Sequence, residues 1–595
     1  MCVFFLLGVK MWNLDDLYKD FDDSYLEDFA KLENFVKEFK KLVSEMYILS
    51  DVDLLEKYIY ISEKIERITN NLYSYANLRF CTNVNDKTPM RFNLKVEELL
   101  ISLTKDYVKF KRHLADVDLD KKKHKSKIIF ENLYHLKKLQ HENKFLLSED
   151  LEELLEKMTL LASDSWEQLQ EIVTSNIEID FQNKKLTLSE IRNLAYNKDQ
   201  KIRKDAFETE INALKSVEEY VALALTNIKR QVNMVNSLRG YETIFEPTLI
   251  NNRMSSKTLE LLINSIENHR NYFSLYLKKK SNYLGHSNGL PFYDLFAPIG
   301  EVTKKYSFEE AKKIILKAFY KFSNNLGDFA KKAFENNWID ISPRKGKVGG
   351  AFCDNLPQIN QSRILVNFTG TLSDVLTLAH ELGHGFHGEM ISKNTPLNWD
   401  YPMPLAETAS IFCESIVNEF LINNVKNDNE LLNILENELQ DNTQVIIDIL
   451  SRYYFESKLF DEANKPLNVE DINLWMKESQ KKAYLDGLDK DVLHPYMWLI
   501  KSHYYDAEYN FYNFPYAFGL LFGKALFTKY KENPTQFTSD YEVFLQFTPK
   551  DSIEKVSKKI GIDLNSETFW NNSFRIIKEN ITRVITLIDK IKDAN

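Results

Sequence analysis

The sequence predicts a mainly α-helical protein, and three observations carry that prediction. Glycine and proline are scarce, 17 and 14 of 595 residues, about 5% where an ordinary chain has near 12%, so turns are few. Apolar residues recur at spacings of three and four over long stretches, as in Leu26, Phe29, Leu32, Phe35, Val36 and Phe39, the pattern of amphipathic helices packed together. Strand signals are short and isolated. A hydrophobic share of 44% with 28% charged residues excludes a disordered chain. A chain of 595 residues exceeds one core of ordinary size and predicts at least two packed regions.

The elements follow in order. Residues 1–10 hold an apolar run, Cys2 to Val9, with no positive charge before it and no small-residue cleavage site. It is about half the length of a membrane span, so it reads as an upstream extension rather than a targeting signal or membrane anchor. From about Ser24 to Val173 the helical spacing is continuous. Residues 177–188, with Gln182-Asn183-Lys184-Lys185 at their centre, alternate like a short hairpin. A domain boundary is expected beside it, separating a helical domain 1–190 from a catalytic domain 191–595. Helical spacing resumes and runs to about Lys280. Three glycines then fall within five residues, at Gly346, Gly349 and Gly350. Such density marks backbone that something must approach closely. The β-branched and aromatic run Ile364-Leu365-Val366-Asn367-Phe368 reads as a strand, which predicts a small sheet beside the next helix.

Charge and cysteine usage narrow the function. A formal charge of -10 gives no attraction to phosphate backbones, so nucleic acid is not the expected partner. Cys2, Cys81, Cys353 and Cys413 lie far apart without CxxC spacing, which fits reduced thiols in a cytoplasmic protein better than a disulfide framework.

Thr371-Leu372-Ser373-Asp374 has the pattern of a helix cap, and the helix it opens contains His380-Glu381-Leu382-Gly383-His384. Histidines four apart share a helix face and can reach one ion, while the intervening glutamate lies beside that ion. Imidazole pairs suit Zn²⁺, and a catalytic zinc needs a third protein ligand. His387 lies one turn beyond and reads as a structural residue. The metzincin pattern fails because Met390 stands where its third histidine belongs. A second helix is the other solution: after Tyr401-Pro402-Met403-Pro404, Glu407 and Glu414 are seven apart and flanked by small residues. Glu407 is the expected ligand, and Glu414 is placed to orient a histidine through its ring N–H. Tyr505, Tyr509, Tyr512 and Tyr516 have the spacing of an aromatic stripe on a helix.

These motifs together, HExxH followed by Tyr401 to Ser410, resemble the thimet-oligopeptidase and oligoendopeptidase F family of zinc peptidases, the latter branch above all. The resemblance extends to Gly346 to Cys353, to Asn367 to Thr371 and to Trp12-Asn13-Leu14, and so covers nearly the whole chain. It implies a helical clamshell with a deep channel, one zinc per chain at its floor, and cleavage of short peptides rather than folded proteins. It also implies that His503 and tyrosine hydroxyls at Tyr512 or Tyr516 bind substrate and the tetrahedral oxyanion, with Tyr509 as a further substrate contact. The family's glycines between that histidine and the last tyrosine are absent here.

The expected activity is zinc-assisted hydrolysis of internal peptide bonds, with His380, His384 and Glu407 on the metal and Glu381 as general base. The loop at Gly349, Gly350 and Ala351 and the strand 364–368 would pair with an extended peptide through main-chain bonds. A helical zinc carboxypeptidase and a non-catalytic peptide-binding protein with a structural metal are the rival readings. Monomer and homo-oligomer are equally open.

Overall fold

The computed structural model describes residues 11–300, 304–465 and 467–594; the N-terminal run at 1–10, with Cys2, lies outside them. The elements used below are α1 (Asp23–Glu45), α2 (Asp51–Thr82), β1 (Ile179–Phe181), β2 (Lys184–Leu186), β3 (Ile339–Asp340), β4 (Phe352–Leu356), β5 (Gln361–Leu365), α3 (Leu372–Ile391), α4 (Met403–Asn424) and α5 (Phe514–Glu532). Most other elements are helices, so the protein is mainly α with two small sheets.

The chain forms two compact units, each assembled from three separate stretches. The first comprises Met1–Glu153, Lys304–Phe420 and Lys529–Ile562, and the second Leu154–Thr303, Leu421–Thr528 and Asp563–Asn595. The expected division at residue 190 does not coincide with these units, because residue 190 falls inside the second and helices distant in sequence pack together in each.

In the first unit, α1 and α2 form a long antiparallel pair. Asp22 caps α1 and Ser50 caps α2 through their side chains. Leu32, Val36, Phe39, Leu55, Tyr58 and Leu72 are buried between them at helical spacing, and Leu356 and Leu365 of the sheet join the same core. That sheet has the order β3-β5-β4, with β3 parallel and β4 antiparallel to β5. The expected strand at 364–368 is therefore displaced: β5 begins at Gln361 and ends at Leu365.

The second unit contains the expected hairpin, β1 pairing antiparallel with β2. Gln182 and Asn183 both adopt positive φ, 48° and 61°, the twisted two-residue turn that asparagine tolerates. Its helices enclose ion pairs: Lys280 with Glu436 at 2.6 Å and Lys229 with Glu456 at 3.2 Å, all four side chains almost wholly buried. No helix among the described residues is long and apolar enough to cross a membrane. Cys81, Cys353 and Cys413 are free.

Candidate active site

The site begins with the cap of α3. Thr371 Oγ1 accepts from the Asp374 N–H at 3.1 Å, and Asp374 Oδ2 accepts from the Thr371 N–H at 3.0 Å, satisfying two amides that the helix start leaves unpaired. Asp374 also accepts from the Thr369 N–H and hydroxyl, which ties the helix to the chain leaving the sheet. Nine residues along α3, His380 and His384 project from one face with Nε2 atoms 3.1 Å apart.

The third member comes from α4, which crosses α3 in close contact. A Cβ on Gly383 would lie 2.7 Å from Ser410 Cα and 2.8 Å from Ala409 O. Only glycine facing small residues permits that approach, and it brings Glu407 Oε2 to 3.4 Å from His380 Nε2 and 3.8 Å from His384 Nε2. Ser410 Oγ donates to the same carboxylate oxygen at 3.3 Å. Glu414, nearly two turns along α4, pairs with His380 Nδ1. That bond places the Nδ1 proton toward Glu414 and leaves Nε2 directed at His384 and Glu407.

The donor set fits a divalent metal. One atom from each of His380, His384 and Glu407 lies within 4.8 Å of the others. A tetrahedral zinc with bonds of about 2.05 Å requires ligand atoms about 3.3 Å apart, and the separations here are 3.1, 3.4 and 3.8 Å. Burial opposes charge on His380, but its bonds to Glu407 and Glu414 override it and raise its pKa well above the usual value. Burial lowers His384 to about 4, with charged His380 adding to the effect. Glu381 is 5% exposed and makes no hydrogen bond among the described residues. Burial raises it to about 7, opposed by His380 and assisted by Glu407 and Glu414.

Comparison with known proteins then decides the family. The profile of Peptidase family M3 matches residues 193–576. The chain belongs to peptidase family M3. Over nearly its whole length it is 25% identical to an oligoendopeptidase F homolog of Lactococcus lactis (97% of each chain) and 24% identical to oligopeptidase PepF of Bacillus subtilis (98% of this chain, 88% of the relative). Its fold is that of oligoendopeptidase-F from Enterococcus faecium, with a TM-score of 0.71 at 18% identity over 97% of this chain and 100% of that one. It is a metalloendopeptidase of the oligoendopeptidase F branch.

Around the metal helix of this M3 peptidase, two more glycines admit neighbours. A Cβ on Gly385 would meet the Phe329 ring at 2.5 Å, and one on Gly388 would meet Asn355 Oδ1 at 2.1 Å. Asn355, on β4, donates to the His384 carbonyl at 3.2 Å and accepts from Ser362 Oγ at 2.9 Å. Sequence reading missed Asn355; the signal was Gly388, a helical glycine with no turn to explain it. His387 is fully buried, bonds Thr548 Oγ1 at 2.8 Å and packs on Tyr401. Burial lowers it to about 3, so it is a neutral structural residue.

Gly349, Gly350 and Ala351 lead directly into β4. Neither glycine has an atom within 4 Å of a would-be Cβ, and Gly350 has φ +75°. Asn367 Nδ2 holds the loop by donating to the carbonyls of Val348 and Gly350, at 3.1 and 2.9 Å. The sheet order corrects the expectation for residues 364–368: β5 is the central strand with both edges paired, so it cannot take an added strand. The edge strand on this side is β4.

The C-terminal candidates lie in the second unit. His503 stacks on Tyr512 with rings 20° from parallel and 6.1 Å apart, and Tyr516 donates to the Tyr512 hydroxyl at 3.2 Å. Burial beside Arg452, Lys501 and Lys229 lowers His503 to about 2, so it is neutral. Tyr509 is exposed. The helical stripe expected from Tyr505 to Tyr516 does not form. Asp506 turns the chain by accepting from the Glu508 and Tyr509 amides, Phe511 takes φ 53°, and α5 begins only at Phe514.

Proposed function

We propose that this M3 peptidase is an intracellular zinc oligoendopeptidase that hydrolyses internal bonds of short, unfolded peptides. The observation that carries the reading is the His380–His384–Glu407 group with Glu381 buried beside it and outside it. His380, His384 and Glu407 would hold the metal, and Glu414 and Ser410 fix the orientation of two of them. A zinc ion there supplies Lewis acidity toward the attacking water and the scissile carbonyl. Glu381 takes a proton from that water and delivers it to the departing amine, a task that suits a carboxyl raised to about 7. The family resemblance supports a role for His503 with Tyr512 or Tyr516 in binding the developing oxyanion, where loss of one donor costs about 10²–10³ in rate. Gly349, Gly350 and Ala351, running into edge strand β4, offer main-chain groups to an extended peptide, with Tyr509 a further contact. The relatives' names specify oligopeptides, which supports the substrate class.

Glu381→Gln tests the mechanism. The variant is expected to bind one zinc and melt as the parent does while losing turnover of a quenched fluorescent peptide; near-parental hydrolysis would remove Glu381 from the chemistry. An end-blocked peptide that is cut internally separates this activity from a carboxypeptidase.

A further inference from the structure

A cavity of about 430 Å³ opens in the second unit, a volume within the range of small-molecule sites, about 300–1,000 Å³. Nothing in the peptidase reading uses it. Its wall is aromatic: Phe207 packs on Phe292 and Tyr293 at 6.2 and 6.0 Å, and Tyr196, 59% exposed, leans on Phe296 at 5.0 Å.

Its polar lining is specific. Arg203 is committed, its Nε to Asp294 Oδ1 at 2.7 Å and its Nη1 to the carbonyls of Asn197 and Lys198. Glu210 is met by Arg192 Nε at 3.2 Å and by His494 Nε2 at 3.3 Å. His494 Nδ1 accepts from the Tyr496 N–H, so the proton that reaches Glu210 is on Nε2. Lys501 differs. It lines the same cavity, half-buried, yet its ammonium makes no hydrogen bond or ion pair among the described residues. Burial, with Arg452 and Arg192 nearby, depresses its pKa to about 7 against the opposing pull of Asp448 and Glu210. Beyond Glu210, Arg192 makes no hydrogen bond to another acceptor among the described residues, which leaves guanidinium N–H groups for a second acceptor.

An ammonium with no direct partner among the described residues and a partly free guanidinium can take up an anion, and the flat guanidinium edge suits a carboxylate. Glu210 and Asp441 also line the cavity, so the net positive charge is small and a polyanion such as a nucleotide triphosphate is disfavoured. The aromatic wall accepts an apolar body of about one residue.

We propose that this pocket binds a single carboxylate carried on an apolar or aromatic residue, held by Lys501 and Arg192. Free amino acids and the C-termini of peptides both present that group.

Calorimetric titration of the full chain with N-acetylphenylalanine tests the site, since this probe has no peptide bond between two amino-acid residues. One saturable site is expected, with N-acetylphenylalaninamide at least about tenfold weaker, because the charge-assisted bonds are lost. Lys501→Met and Arg192→Gln should each weaken binding about tenfold and Lys501→Arg should restore most of it. Binding should persist in His384→Ala, which removes the metal site as an alternative carboxylate trap. Equal binding of the amide, unchanged affinity in Lys501→Met with an unaltered melting curve, or loss of binding in His384→Ala would each overturn the proposal. Phenylalanine and Gly-Gly-Gly-Gly-Phe, titrated into His384→Ala, identify the source; binding of either supports the pocket, and binding of neither rejects it.

Discussion

Gly383→Ala puts one methyl into the crossing of α3 and α4. The new Cβ would stand 2.7 Å from Ser410 Cα and 2.8 Å from Ala409 O, where ordinary contact starts near 3.4 Å. Both opposing atoms are backbone and cannot rotate away, so the helices must separate by at least about 0.7 Å, the shortfall between those distances. His380 lies one turn before Gly383 and Glu407 one turn before Ser410, so the ligand set opens with the crossing. Metal sites tolerate deviations of about 0.2 Å. The expected result is a zinc affinity lower by about 10- to 100-fold and a stability loss of about 1–3 kcal/mol from overpacking. Competition with a chromogenic chelator reads the first and urea unfolding the second. Gly349→Ala, where nothing lies within 4 Å, is the stability control. Parental zinc affinity in Gly383→Ala would show that the crossing does not set the ligand geometry.

Three further outcomes are expected. Glu414→Ala frees the His380 ring and should weaken zinc binding about 10- to 100-fold while leaving the fold intact; unchanged affinity in the same chelator assay would make the contact incidental. Lys229→Met strands the buried Glu456 carboxylate and should cost about 3–5 kcal/mol, most of it recovered when Glu456→Gln is added; additive losses in urea unfolding would deny the coupling. Burial raises Asp354 to about 7, with Ser74 and Arg363 opposing. The folded chain therefore keeps a proton that the unfolded chain gives up near pH 4. Its stability contribution is full below that pH and declines as pH rises through about 7. Asp354→Asn should lose less stability than the parent between pH 5 and 8, and parallel pH profiles would contradict this.

The parts of the site visible in sequence are those whose geometry is local. His380 and His384 share a face because a helix repeats every 3.6 residues, and Glu407 and Glu414 do so for the same reason on α4. The cap at Thr371, the hairpin turn at Gln182-Asn183 and the small residues at Ala409 and Ser410 are likewise written in neighbouring residues. What spacing could not show depends on distant partners. The tyrosine segment has helical spacing, yet its backbone is set by Lys229 and Glu456. Lys229 donates to Asn510 Oδ1 at 2.6 Å from 281 residues away, and Glu456 accepts the Phe511 N–H at 3.1 Å. Those bonds hold Phe511 in a left-handed conformation that no aromatic residue favours alone. The central position of β5 is hidden for the same reason, because β3 pairs with it across an intervening β4. The two-unit division was also out of reach, since each unit draws on three stretches of the chain.

Glutamate appears three times around His380, and the surroundings give each copy a different chemistry. Glu407 is half-buried, and that enclosure alone would raise it, but His380, His384 and Ser410 all favour its charged form and hold its pKa below the ordinary value. Such a carboxylate stays an anion, as a metal ligand would need to. Glu381 is more enclosed and has no donor among the described residues, and its like-charged neighbours raise it further, to about 7. It can take up and release a proton near neutral pH, which a ligand must not do and a general base must. Glu414 spends itself on a ring nitrogen that faces away from the other two donors. Sequence spacing separates the three by expected role but does not supply the contacts that set their charge states. The difference comes from the crossing at Gly383, which brings α4 close enough for Glu407 to meet both imidazoles while Glu381 is left beside them with no partner.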